Sequence, residues 1–80
     1  MRGRSALASV EKIILKMKQQ PNGITNAEAN KVLNAKGYEL KRTSGSHRQY
    51  VNSQGDVTTI VIRDCLKSYE VRDILNRIGE

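Results

Sequence analysis

Between Tyr38 and Ile62 the chain runs through three short strand-like segments broken twice by turn chemistry, and this pattern constrains the fold more than any other feature. "YELKR" (38–42) alternates apolar and polar residues as a half-buried strand does, and "TSGS" (43–46) follows as a turn. "HRQYVN" (47–52) reads as a second strand and "SQG" (53–55) as a short link. "DVTTIVI" (56–62) is the third, rich in β-branched residues and expected to be the most buried. Links this short join antiparallel neighbours, because a parallel crossover needs about a dozen residues or more. The prediction is a three-stranded antiparallel meander.

Helical patterns flank the meander. "SALASVEKIILKMKQQ" places Leu7, Val10, Ile14 and Met17 on one stripe, with Ile13 beside it. This predicts a helix over 5–20, capped by Ser5 and stopped by "PNG" at 21–23. Thr25 and Glu28 stand three apart, as in a capping box, and Gly37 fits the position just past a helix end. A helix over 26–36 follows, with Ala29, Val32 and Leu33 on its apolar face. The last helix, 68–78, carries Val71, Ile74, Leu75 and Ile78, with Ser68 as its cap and Gly79 at its end. The fold class is α+β. The helices 26–36 and 68–78 cover one face of the sheet; the other face is open or partly covered by the first helix.

Eighty residues make one small domain, 1–80. A chain of this length buries only about 60–65% of its unfolded surface, so the core should be thin and built of Ile, Val, Leu and Ala. There is little room for a deep pocket; a polymer laid across the surface suits the size better. The net charge of +6 favours a polyanion, either nucleic acid or an acidic protein. Cys65 is the single cysteine, so an intramolecular disulfide and a thiolate zinc site are ruled out, as suits a reducing cytoplasm. The start, with Arg2 and Arg4, resembles a signal peptide, but its apolar run stops at Glu11. No apolar run approaches the ~20 residues of a membrane span.

Chemistry concentrates at "KRTSGSHRQYV" (41–51), which holds the only histidine, His47. One histidine, one cysteine and eight scattered acids do not assemble a metal site. "SGSHRQ" lacks the pattern of a phosphate-binding P-loop. RNA cleavage asks for less, because the substrate brings its own nucleophile, the ribose 2′-hydroxyl. The protein must hold the phosphate, neutralise developing charge and move a proton. An unperturbed imidazole, with both forms populated near neutrality, suits the last task. Gly45 permits close backbone approach, Ser46 can donate to phosphate oxygens, and Lys41, Arg42 and Arg48 carry charge. Tyr38 or Tyr50 is placed either to stack on a base or to pack in the core.

"GYELKRTSGSHRQYV", then "DVTTIVI", then "LKSYEVRDILNRIG", resembles the HicA family of bacterial toxin–antitoxin toxins over about 24–79. Gly-Ser-His after a Gly-Tyr-Glu strand, in this order and in so short and basic a chain, carries the resemblance. It implies a fold similar to a double-stranded-RNA-binding domain, to which 5–20 adds an N-terminal helix. It also implies a metal-independent endoribonuclease that needs no cofactor and cleaves mRNA, with His47 as the catalytic histidine. The implied partner is a HicB-like antitoxin that covers this histidine. Arg48, Gln49 and Ser68 depart from residues common at those places in the family. Two other readings stand beside it: an RNA-binding module that never cuts, and a basic domain made for an acidic protein partner.

Overall fold

The computed structural model describes the chain from residue 6, and side chains from residue 9, to residue 80. Ser5, the expected cap, and the side chain of Leu7 lie outside the described residues. The elements are α1 (Ala6–Gln19), a 3-10 turn (Pro21–Gly23), α2 (Asn26–Ala35), β1 (Glu39–Ser44), β2 (His47–Val51), β3 (Val57–Val61) and α3 (Ser68–Arg77). The strands form one antiparallel sheet in the order β1-β2-β3, an α+β arrangement with the expected meander.

The boundaries of α2 follow from side-chain chemistry. Thr25 Oγ1 accepts from the Glu28 amide at 3.2 Å, and the Glu28 carboxylate accepts from the Thr25 amide at 3.0 Å. Two amide groups that the helix leaves unpaired are thereby satisfied. Burial alone would raise the Glu28 carboxyl; the Thr25 amide and the ammonium of Lys16, 3.0 Å away, outweigh it and hold it below the usual range. At the other end the Tyr38 amide donates to Leu33 O at 2.9 Å and the Gly37 amide to Asn34 O at 3.2 Å. That paired closure needs a left-handed residue, which Gly37 supplies at φ +91°. The same closure ends α3, through the amides of Gly79 and Glu80.

Ser68 does not cap α3; it is the first helical residue. The capping position belongs to Lys67, whose ammonium cannot accept a hydrogen bond. The end is closed from the other side, by Glu70 reaching back to the Lys67 amide at 2.9 Å.

The core is continuous: Val10, Ile14 and Met17 from α1; Ile24; Ala29, Val32 and Leu33 from α2; Tyr50 and Ile60 from the sheet; Leu66; and Val71 and Ile74 from α3. Tyr38 joins them, so two tyrosines supplement the expected aliphatic residues. Tyr50 is 1% exposed and its hydroxyl donates to Asn30 Oδ1 of α2 at 2.7 Å. Tyr38 donates to the Asp56 carboxylate. Neither ring is available to stack on a base. Burial of apolar area is the main stabilising term here, and a polar tip on each ring finds its partner, as buried tyrosines require.

α1 packs on α2, α3 and the 3-10 turn. It therefore lies on the helical side, and among the described residues no element covers the opposite sheet face. β1 is exposed along its whole length, with Leu40 44% exposed, rather than half-buried as its alternation predicted. β3 alternates too: Thr58 and Ile60 are buried while Val57 and Thr59 are exposed. It is an edge strand with one covered face, yet with two buried residues against one in β2 and none in β1 it is the most buried of the three, as its β-branched richness predicted. Among the described residues no helix is long and apolar enough to cross a membrane.

Candidate nucleic-acid interface

Register decides which side chains meet. Ser44 pairs with His47, and the link between them is only Gly45 and Ser46, tighter than the four-residue turn expected. Gly45 adopts φ +58° while Ser46 has a negative φ, the pattern of a two-residue turn that takes glycine first. Alternation along β2 then sends His47, Gln49 and Val51 to one face and Arg48 and Tyr50 to the other. Because Tyr50 is in the core, His47 must be on the open face. It is exposed there.

The neighbours of His47 come from all three strands. Arg42 pairs with Gln49, and Gln49 with Thr59. Directly opposed residues have Cβ atoms about 4.5–5.5 Å apart and share a face. Arg42, Ser44, His47, Gln49 and Thr59 accordingly line one shallow depression of about 260 Å³. It contains a guanidinium, an imidazole, an amide and two hydroxyls, and no carboxylate. Such a lining accepts a phosphate without like-charge repulsion.

A β-bulge adds to this face. The register shifts between Leu40 and Arg42, leaving Lys41 without a partner. Lys41 lines a second, smaller depression with Glu39 and Val51, on the same face as His47. In an unbroken strand two successive residues would point to opposite faces; the bulge lets Lys41 and Arg42 share one. Lys41 also lies 3.5 Å from the Glu39 carboxylate, an exposed pair worth little.

The tip of this hairpin is held from below. Ile62 N donates to Ser46 O at 2.6 Å. The Val61 amide points away from β2, to Glu70 at 3.4 Å, so His47 and Val61 are a non-hydrogen-bonded pair with closely spaced side chains. Asn26 accepts from the Arg63 amide at 3.0 Å and donates to Val61 O at 3.4 Å. Arg63 and Glu70 form an ion pair at 2.6 Å. The histidine is thus presented on a sheet whose edge is pinned to α2 and α3.

Of the candidate residues, Arg42 joins His47 in the depression. Gly45 and Ser46 form the exposed turn beside it, and Lys41 stands farther along the same face. Arg48 does not join them: it pairs with Ile60 and is half-buried on the helical face. Strand alternation overrides its proximity in sequence. Gln49, Ser44 and Thr59 were not anticipated. Gln49 is legible as the residue two after His47; Thr59 becomes a neighbour only through the β2–β3 register. Among the described residues no cluster of three or more His, Cys, Asp or Glu could hold a metal ion.

No curated protein and no solved structure matches the chain. Residues 27–80 match the family model described as HicA toxin of bacterial toxin-antitoxin. The match begins inside α2 and takes in the whole sheet, the His47 hairpin and α3, more than half of the chain. The chain therefore belongs to the HicA toxin family of bacterial toxin–antitoxin systems.

Proposed function

We propose that this toxin is a metal-independent endoribonuclease that cleaves mRNA, with His47 as its catalytic residue. The observation that carries the reading is the exposed imidazole on an open sheet face, flanked by Arg42 and hydroxyl and amide groups with no carboxylate in the depression. Arg42 holds the scissile phosphate and offsets the charge that gathers on its oxygens. Lys41 and the Gly45–Ser46 turn engage the backbone on either side.

The 2′-oxygen forms a bond to phosphorus as the bond to the 5′-oxygen breaks. The 2′-hydroxyl loses a proton and the leaving 5′-oxygen gains one, so the products are a 2′,3′-cyclic phosphate and a 5′-hydroxyl. His47 handles one of these transfers and water the other. A cleavage rate that rises as the imidazole loses its proton makes it the base; a rate that falls makes it the acid.

The partner implied by family membership is a HicB-type antitoxin. Covering the open face would silence the toxin, and an acidic surface would complement the net charge of +6. The direct test is incubation of purified protein with defined RNA, beside His47→Ala and with EDTA present. Cleavage by the unaltered protein that survives EDTA and is lost in the variant is the expected result. Intact RNA bound equally by both proteins points instead to a binding module. RNA neither bound nor cut points to a protein-interaction domain.

A further inference from the structure

We infer that Gln49 reads the base of the nucleotide adjoining the scissile phosphate, and so sets where this toxin cuts. The inference rests on the nuclease reading above and deepens it.

Gln49 is exposed, two residues along β2 from His47 and on the same face. Same-face neighbours on a strand are about 6.6–6.8 Å apart, comparable to one nucleotide step of an unstacked chain. A strand of RNA laid along β2 with its phosphate at His47 therefore brings an adjoining nucleotide over Gln49. Arg42 and Thr59, its partners across the sheet, flank it on either side.

The groups lining the depression divide by what they can distinguish. The Arg42 guanidinium matches a phosphate, which every nucleotide has. The hydroxyls of Ser44 and Thr59 rotate to donate or accept, so they suit any base. The Gln49 amide alone offers a fixed carbonyl acceptor beside a fixed NH₂ donor, the complement of a base edge with one of each. Stacking on a ring holds any base and does not read its edge. Tyr38 and Tyr50 are buried in any case, and the exposed Tyr69 of α3 borders the β3 edge rather than the depression that holds Gln49.

The test uses the full chain and an RNA pool randomised in sequence, with cut ends mapped by sequencing. The unaltered protein is compared with Gln49→Leu and Gln49→Glu, and melting curves establish that each variant is folded. The readout is base frequency beside the cut, which a loss of overall rate does not move. The unaltered protein should prefer one base at one flanking position. Gln49→Leu should weaken that preference about tenfold, the scale of one hydrogen-bonded discrimination. Gln49→Glu, which only accepts, should move it toward a base presenting an amino group. If the unaltered protein cuts with no preference, or both variants keep the same one, the inference is overturned and the nuclease reading stands. If the unaltered protein leaves every RNA in the pool intact, the nuclease reading itself falls and takes the inference with it.

Discussion

Tyr50 and His47 stand three residues apart on one strand and belong to different worlds. Tyr50 is in the centre of the core, its ring packed and its hydroxyl bonded to Asn30. His47 faces solvent beside Arg42. The strand's two-residue period separates them, and it gives a small chain a way to carry both stability and chemistry on one sheet. One face buries the apolar area that stabilises the fold. The other, left uncovered by α1, is free to hold a cation, an imidazole and an amide side by side. Stability and activity should therefore respond to different residues of β2.

The largest expected effect is at His47. His47→Ala should lower cleavage by about 10²–10⁴-fold, the range for a proton-transferring side chain, while its unfolding curve stays within about 0.5 kcal/mol of the parent because the group is exposed. A variant that loses its fold would break the separation of the two faces. Tyr50→Ala is the converse. Removing a buried aromatic should destabilise by about 3–5 kcal/mol in urea unfolding, a large share of the stability of so small a domain.

A smaller and sharper comparison sets Arg42 against Arg48. Both are cationic and both flank His47 in sequence, but they occupy opposite faces. Arg42→Gln should weaken RNA binding and flatten its dependence on log salt by about 0.7, as loss of one phosphate contact on a single strand requires. Arg48→Gln should leave that slope nearer the parent's. Equal slopes for the two would mean that RNA wraps around the hairpin tip rather than lying on the open face.

The smallest effect lies far from the site. Asp56 accepts from Tyr38 and from Arg77 at 2.8 Å, tying the turn after β2 to the start of β1 and to the end of α3. The Tyr38 hydrogen bond, then that of Arg77, hold the Asp56 carboxyl below its ordinary value. A carboxyl depressed in the folded state adds stability above its unfolded value, and that stability is lost as pH falls through the folded one. Asp56→Asn should therefore flatten the acid limb of the stability–pH curve and leave cleavage at neutral pH unaltered.

Much of the scaffold was legible residue by residue. Thr25, Glu28 and Gly37 mark the ends of α2 through hydrogen bonds to their near neighbours. The same locality fails at α3, where Ser68 has the right chemistry but stands one residue too late. It fails more widely in the sheet. The apolar alternation of β1 promised half-burial, yet the helices do not cover it. For the candidate site, the sequence pointed to His47, Arg42 and the Gly45–Ser46 turn, and grouped Arg48 with them because sequence distance carries no information about faces until register is known. Gln49 was within reach of alternation alone; Thr59, Asn26 and Glu70 were not, being 10 or more residues away and joined to the hairpin by strand pairing and side-chain bonds.

By itself the sequence determined the elements, their antiparallel order, the basic charge and the single imidazole, because caps, turns and periodicity act over a few residues. Only the tertiary structure decided that α1 packs on the helices and leaves one sheet face bare, that a bulge turns Lys41 and Arg42 to the same side, and that Arg48 turns away. Those outcomes depend on which surfaces bury the most apolar area together and on how three strands come into register, and both are settled between parts of the chain that are distant in sequence.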